Sequence, residues 1–269
     1  MTAIHWSKAK DQIQQLAMQP RFGLFSDLDG TLAPIAPTPE AAAITPGNRQ
    51  HLQELAAQLP VVALISGRRA GSLQAKVGLP GLIYVGNHGL EQWLDGQVVG
   101  LPQAAAHRTA LEQAQAAIRA MLPPGAVAED KGLTLSIHYR QTKDPREFML
   151  TRAVQIHNIA QQHGLVLFTG KMVLEVRPPV EVDKGTAFRD LVLEHQLSSA
   201  LFLGDDISDL AALQAAAALR SGGIAAYGVG VQSEDAPPEV AAHADYLADG
   251  VADVEQLLAF LLAARQANV

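Results

Sequence analysis

Residues 22–32, FGLFSDLDGTL, constrain this chain more than any other stretch. A short apolar run bounded by a turn signal reads as a buried strand. Here the run ends in Asp27 and Asp29, then Gly30 and Thr31. In a parallel α/β sheet, ligands bind just beyond the carboxyl ends of the strands. Both carboxylates are therefore expected at a ligand site. Two carboxylates this close repel unless a cation or a shared proton relieves them, and an oxygen-preferring ion such as Mg²⁺ does so simply. Gly30 lets the backbone turn sharply. Taken alone, the same residues also make a solvated strand end with an Asp-Gly turn.

The rhythm recurs along the chain. After a lead-in helix over 3–18 and the first strand, a proline-rich loop covers 33–44. Thr45-Pro46 reads as an N-cap and first-turn proline, followed by Leu52, Leu55, Ala56 and Leu59 at helical spacing. Residues 61–65 form a second buried strand ending in Ser66-Gly67-Arg68, and 82–85 a third ending in Gly86-Asn87-His88-Gly89. This is the pattern of parallel βαβ units. Near 104 it changes: helix 104–122, a hairpin about Asp130-Lys131-Gly132, helix 145–163, and a second hairpin of 166–168 and 172–176 turning at 169–171. From Asp183 the first rhythm returns. It has a helix from Lys184 to about 195, strand 201–203 ending in Gly204-Asp205-Asp206, helix 207–219, strands at 223–231 and 243–247, and a closing helix over 251–264. The expected architecture is α/β: a Rossmann-like parallel sheet core from 1–103 and 181–269, with an inserted α+β cap domain over 104–180.

The composition narrows the functional classes. Of 269 residues, 48% are hydrophobic and 17% charged, which suits a globular chain with ample core. A net charge of −7 argues against general affinity for nucleic acid or anionic membranes. The absence of cysteine excludes disulfides and cysteine-based zinc sites. No signal-peptide core opens the sequence and no apolar run is long enough to span a bilayer. The expectation is a soluble, cytoplasmic monomer with a small-molecule substrate.

Three further strand ends carry polar groups suited to phosphate. Ser66, followed by Gly67, offers a hydroxyl and an unobstructed N–H at a helix start, where anions bind well; a plain N-cap serine is the alternative. Lys184 stands at another helix start, against the helix dipole, as though facing an anion; a solvated lysine is the alternative. Asp205, Asp206 and Asp209 cluster where a strand passes into a helix. Such acids favour a helix start by themselves, and they also fit metal ligation with its supporting groups.

The set, strand–Asp27-x-Asp29-Gly30-Thr31, strand–Ser66-Gly67-Arg68, Lys184, strand–Gly204-Asp205-Asp206-x-x-Asp209, resembles the four motifs of the haloacid dehalogenase-like phosphotransferases. The resemblance implies Asp27 as nucleophile, forming an aspartyl-phosphate. It implies Asp29 as general acid and then base. Mg²⁺ would be held by Asp27, the Asp29 backbone carbonyl and Asp205. Ser66, Gly67 and Lys184 would hold the phosphoryl oxygens, with Asp206 and Asp209 ordering metal-bound water or Lys184. Gly86-Asn87-His88-Gly89, Leu174-Glu175-Val176-Arg177-Pro178, Asp183-Lys184-Gly185 and Gly228-Val229-Gly230 narrow the likeness to trehalose-6-phosphate phosphatases. One departure is Leu210, where that family usually has an acid. The implied sugar contacts are Asn87 and His88 beside the third strand, with Lys171, Glu175 and Arg140 from the cap. The implied reaction is Mg²⁺-dependent hydrolysis of trehalose 6-phosphate. The alternatives are another glycosyl phosphate (glucosylglycerol phosphate, mannosyl-3-phosphoglycerate or sucrose phosphate) or a phosphomutase.

Overall fold

A computed structural model describes residues 3–38, 40–170, 172–234 and 236–267. The chain divides into two compact units, Met1–Gln97 with Val182–Val269, and Val98–Glu181. The strands, in chain order, are β1 (Ile4–His5), β2 (Phe22–Ser26), β3 (Val61–Ile65), β4 (Ile83–Gly86), β5 (Glu91–Leu94), β6 (Gln97–Gly100), β7 (Val127–Asp130), β8 (Leu135–His138), β9 (Val166–Gly170), β10 (Val173–Arg177), β11 (Ser199–Gly204), β12 (Ala225–Val231) and β13 (Tyr246–Ala248).

The larger sheet runs β1-β13-β12-β11-β2-β3-β4-β5-β6. Its members from β1 to β4 in that order pair in parallel, and β5 returns antiparallel to β4. Every residue of β2, β3 and β11 is buried. This is why these segments read as unbroken apolar runs: a parallel strand covered on both faces has no polar side. Successive side chains still alternate between layers. Leu24, Leu64, Leu201 and Leu203 pack on one face with Ile13, Leu52, Leu55, Leu257 and Leu261. Phe25, Ala63, Ile65 and Phe202 pack on the other with Phe188, Val192, Leu213 and Ala216. The Phe25 and Phe188 rings meet edge to face at 4.7 Å.

Thr45 caps the helix Pro46–Ala56 as its sequence suggested, its hydroxyl accepting from the Asn48 N–H at 3.2 Å. Other elements depart from expectation. The lead-in segment is not one helix: β1 pairs with β13, a 3₁₀ turn covers Trp6–Ala9, and an α-helix only Lys10–Ala17. Asp253 draws the start of the chain into this form, accepting from the indole of Trp6 and bonding His5, each at 2.9 Å. The β5–β6 hairpin was not foreseen. Its turn, Asp95-Gly96, has φ of +48° and +84°, the left-handed pair that a two-residue hairpin turn demands. The helix expected over 104–122 is two, Pro102–Ala105 and Arg108–Met121. A helix at Pro238–His243 precedes the last strand.

The smaller unit is an antiparallel sheet, β7-β8-β10-β9, with helices Arg108–Met121 and Pro145–Gln162. Leu111, Ile118, Phe148 and Ile156 from the helices form its core with Leu135, Ile137, Leu174 and Val176 from the sheet. The alternating residues form a row in register in which Glu129, Ser136 and Glu175 are polar and Phe168 on the edge strand is apolar. Thr169 and Gly170, expected in a turn, are paired strand residues. Lys171 lies outside the described residues. Among the described residues, no helix is long and apolar enough to cross a membrane.

Candidate active site

The site begins where β2 ends. The Asp27 N–H donates to the Leu203 carbonyl at 2.9 Å, which carries the β2–β11 ladder one residue past the strand. The next turn closes on itself: the N–H groups of Leu32 and Ala33 reach the Leu28 carbonyl, and the Gly30 N–H the Ala33 carbonyl at 2.7 Å. Gly30 has φ of +85°, and the Asp205 carboxylate fills the place of its missing side chain: a Cβ there would lie 2.0 Å from Oδ2. Thr31, fully buried, donates to Asp205 Oδ1 at 2.9 Å. Gly30 and Thr31 thus bring Asp205, at the end of β11, alongside Asp27.

Lys184 is the first residue of the helix Lys184–Glu194, which is fixed by a reciprocal capping pair between Asp183 and Thr186. Its side chain is buried, with Nζ 3.0 Å from Asp27 Oδ2 and 2.7 Å from Asp209 Oδ1. A lysine at a helix N-terminus is unfavourable to the dipole; here two carboxylates hold it. Asp209 is completely buried. Its second oxygen accepts from the N–H groups of Asp205 and Asp206, at 3.1 and 3.0 Å. Asp206 is half-buried and contributes that backbone N–H.

Asp27, Asp205 and Asp209 present oxygens within 4.8 Å of one another. These three could hold a metal by distance, but both oxygens of Asp209 are already engaged. Asp27 and Asp205 are left to face a cation, and Asp27 Oδ1 is a buried oxygen without a hydrogen-bond partner. Burial, reinforced by the neighbouring Asp209 and Asp29 carboxylates, pushes the Asp27 carboxyl up to about 7 against the pull of Lys184. Burial and the Asp27 and Asp209 charges push Asp205 up to about 8. Burial alone would push the Lys184 ammonium down, but Asp209 and Asp27 outweigh it and its pKa is raised. An all-oxygen donor set whose three carboxyls share the single Lys184 ammonium suits a hard divalent cation.

The end of β3 approaches the same region and is locked to the end of β4. Ser66, buried, donates its N–H to Val85, and its carbonyl accepts from His88 at 3.0 Å. The Arg68 carbonyl accepts from Asn87 at 2.7 Å. Asn87 and His88 have φ of +48° and +58°, a backbone form rare outside glycine. The His88 ring takes the space beside Gly67, where a Cβ would lie 2.7 Å from Nε2. Asn87 is wholly buried. Asn87 meets the Arg68 carbonyl through its backbone N–H, and His88 is half-buried. Asp29 does not share in the buried cluster by its side chain. Both its oxygens accept from Arg68, at 2.6 and 2.7 Å.

In the smaller unit Glu175 is buried, where a strand acid would ordinarily face solvent. Its carboxylate accepts from Ser136 at 3.3 Å, Thr134 at 3.4 Å and both Nε (2.8 Å) and Nη2 of Arg177, with Lys131 Nζ 3.6 Å away. Arg140 is exposed. Sequence reasoning named Glu175 and Arg140 but missed Lys131 and Arg177. Their signal was the period-two spacing of 175 and 177 and the turn at 130–132. It likewise gave Thr31 and Arg68 no task, although both stand inside the quoted motifs.

Residues 25–236 match the trehalose-phosphatase family. The trehalose-phosphate phosphatase of Mycobacterium marinum is 38% identical over 218 residues, 76% of this chain and 55% of that protein. That of Mycobacterium tuberculosis is 39% identical over 203 residues, 72% of this chain and 50% of that protein. The chain therefore spans about half the length of the curated relatives it matches. Among solved structures, the C-terminal domain of Candida albicans trehalose-6-phosphate phosphatase shares the fold with TM-score 0.78, at 22% identity over 98% of this chain and 99% of that one. Aspergillus fumigatus trehalose-6-phosphate phosphatase gives TM-score 0.65, at 26% identity over 97% and 99%.

Proposed function

Because the chain belongs to the trehalose-phosphatase family, we propose that it hydrolyses a sugar phosphate, trehalose 6-phosphate first among them, to free sugar and inorganic phosphate. The observation that carries this reading is Lys184. Its buried ammonium joins the end of β2 to the turn after β11 through Asp27 and Asp209, and an anion at Asp27 needs such a counter-charge.

In this reading an Asp27 oxygen attacks phosphorus as the bond to the sugar oxygen breaks, and that oxygen takes a proton from Asp29. The phosphoryl group then rests on Asp27. Asp29, now a carboxylate, takes a proton from water as the water attacks phosphorus. Phosphate leaves and Asp27 regains its charge. Ser66, the Gly67 N–H and Lys184 hold the phosphoryl oxygens as charge shifts among them. Asp27, Asp205 and the Asp29 carbonyl would hold Mg²⁺, which would neutralise charge between carboxylate and phosphate dianion. Asp209 and Asp206 order the turn around it. The sugar contacts that the family resemblance implies, Asn87 and His88 in the larger unit and Glu175 and Arg140 in the smaller, remain candidates, each for the hydrogen-bonding groups its own side chain offers.

The test is phosphate release by the chain with Mg²⁺ on trehalose 6-phosphate, sucrose phosphate, glucosylglycerol phosphate and mannosyl-3-phosphoglycerate. A kcat/KM at least about tenfold higher on trehalose 6-phosphate, or ~1.4 kcal/mol of discrimination, is expected. A flat panel removes the assignment of the sugar. No release from any ester removes the reaction.

A further inference from the structure

The sequence motif carries Arg68, yet the reaction as written gives it nothing to do. Its Nε and Nη2 donate to the two oxygens of Asp29 at 2.6 and 2.7 Å. The pair is sheltered, with side chains 13% and 28% exposed. A guanidinium fork on a carboxylate sets its plane and direction as well as its distance. The geometry points to Arg68 as a positioning residue for Asp29, one that holds the carboxylate in place for both of its proton transfers. This rests on the phosphatase reading above, in which Asp29 is donor and then acceptor.

Two observations support it. Asp27, Asp205 and Asp209 are buried, whereas Asp29 is half-buried, so packing alone holds it less. Proton transfer demands a donor within hydrogen-bond reach of the leaving oxygen, so a wandering carboxylate slows it. Arg68, by contrast, projects from a fixed base. Its N–H donates to Ser66 Oγ at 3.3 Å and its carbonyl accepts from Asn87. The fork thus references Asp29 to the same loop that would hold the phosphoryl group. For Asp29 to donate, one of the two bonds must open so that one oxygen carries the proton while the other stays tied to the guanidinium.

The experiment compares esters by leaving group, using kcat/KM, which reports the steps through phosphoryl transfer to Asp27. A sugar alkoxide needs a proton to leave and p-nitrophenolate does not. Arg68→Ala should lose about tenfold or more on the sugar phosphate and less than about threefold on p-nitrophenyl phosphate. Arg68→Lys, which keeps the charge without the fork, should show the same selective loss to a smaller degree. Inhibition by inorganic phosphate should stay within about twofold, since the fork faces Asp29 rather than the phosphoryl site. Equal losses on both esters, or weakened inhibition by phosphate, would show Arg68 gripping the phosphoryl group itself and overturn the inference; so would unchanged rates. Wild-type chain inactive on every ester removes the phosphatase reading and this inference with it. Active wild type beside an unaffected Arg68→Ala removes this inference alone.

Discussion

Lys184 and its two carboxylates form the most tightly constrained group in the molecule. All three are buried, and the ammonium lies within 3.0 Å of both partners. Breaking a buried pair leaves an uncompensated charge, which costs about 3–5 kcal/mol. Lys184→Met, which keeps the bulk and removes the charge, should lower the unfolding free energy by about 3 kcal/mol in denaturant titration without metal. Part of the penalty is relieved because Asp27 can take up a proton. A change under about 0.5 kcal/mol, the size of a surface substitution, would mean that the ammonium is not held as described. These residues were legible in sequence because each stands directly after an apolar run or at a helix start. Their partners were not. Nothing in the spacing says that Thr31 reaches Asp205 across 174 positions, or that Asp209 gives one oxygen to Lys184 and the other to two backbone N–H groups.

The ends of β3 and β4 act together. Two consecutive left-handed residues, Asn87 and His88, place an imidazole where any side chain on residue 67 would sit. Gly67→Ala must push that ring away or displace the loop that carries Ser66. It should weaken inhibition by inorganic phosphate by about tenfold, or ~1.4 kcal/mol, while shifting Tm by only a few degrees. Unchanged phosphate affinity would separate this loop from the anion site. The central strands were readable because burial on both faces writes an apolar run. The β5–β6 hairpin was overlooked although Asp95-Gly96 is a strong turn signal, because Trp93 stood in a mixed polar stretch. Glu175 is buried against the general expectation for an acid on a strand. A strand acid ordinarily marks the wet face, but here Arg177 and Lys131 supply counter-charge on the same face.

Across the molecule, the larger unit is built from two stretches of chain separated by the insertion, and each brings part of the site. Asp27, Asp29 and Ser66 come from the first; Lys184, Asp205 and Asp209 come from the second. The buried carboxyls of Asp27 and Asp205 link the site to global stability. Asp27 and Asp205 are raised to about 7 and about 8, chiefly by burial. In the folded state both therefore favour the protonated form relative to the unfolded chain. Their contribution is favourable at low pH and is lost as pH climbs from about 4 toward about 8. A divalent cation competes with those protons, so its affinity rises through the same interval. Mg²⁺ should raise Tm, and the increment should grow between about pH 5.5 and pH 8.5; ligand at a hundred times Kd contributes ~2.7 kcal/mol. An increment that is flat or shrinks with pH would place the ion elsewhere.

In the proposed reaction the Asp27 carboxylate itself takes the phosphoryl group. Phosphate release by Asp27→Asn, measured beside the wild-type chain at saturating Mg²⁺ and sugar phosphate, tests it most directly. A folded protein with no turnover above background is the expected result. A variant that turns over at a rate near that of the wild type would contradict it.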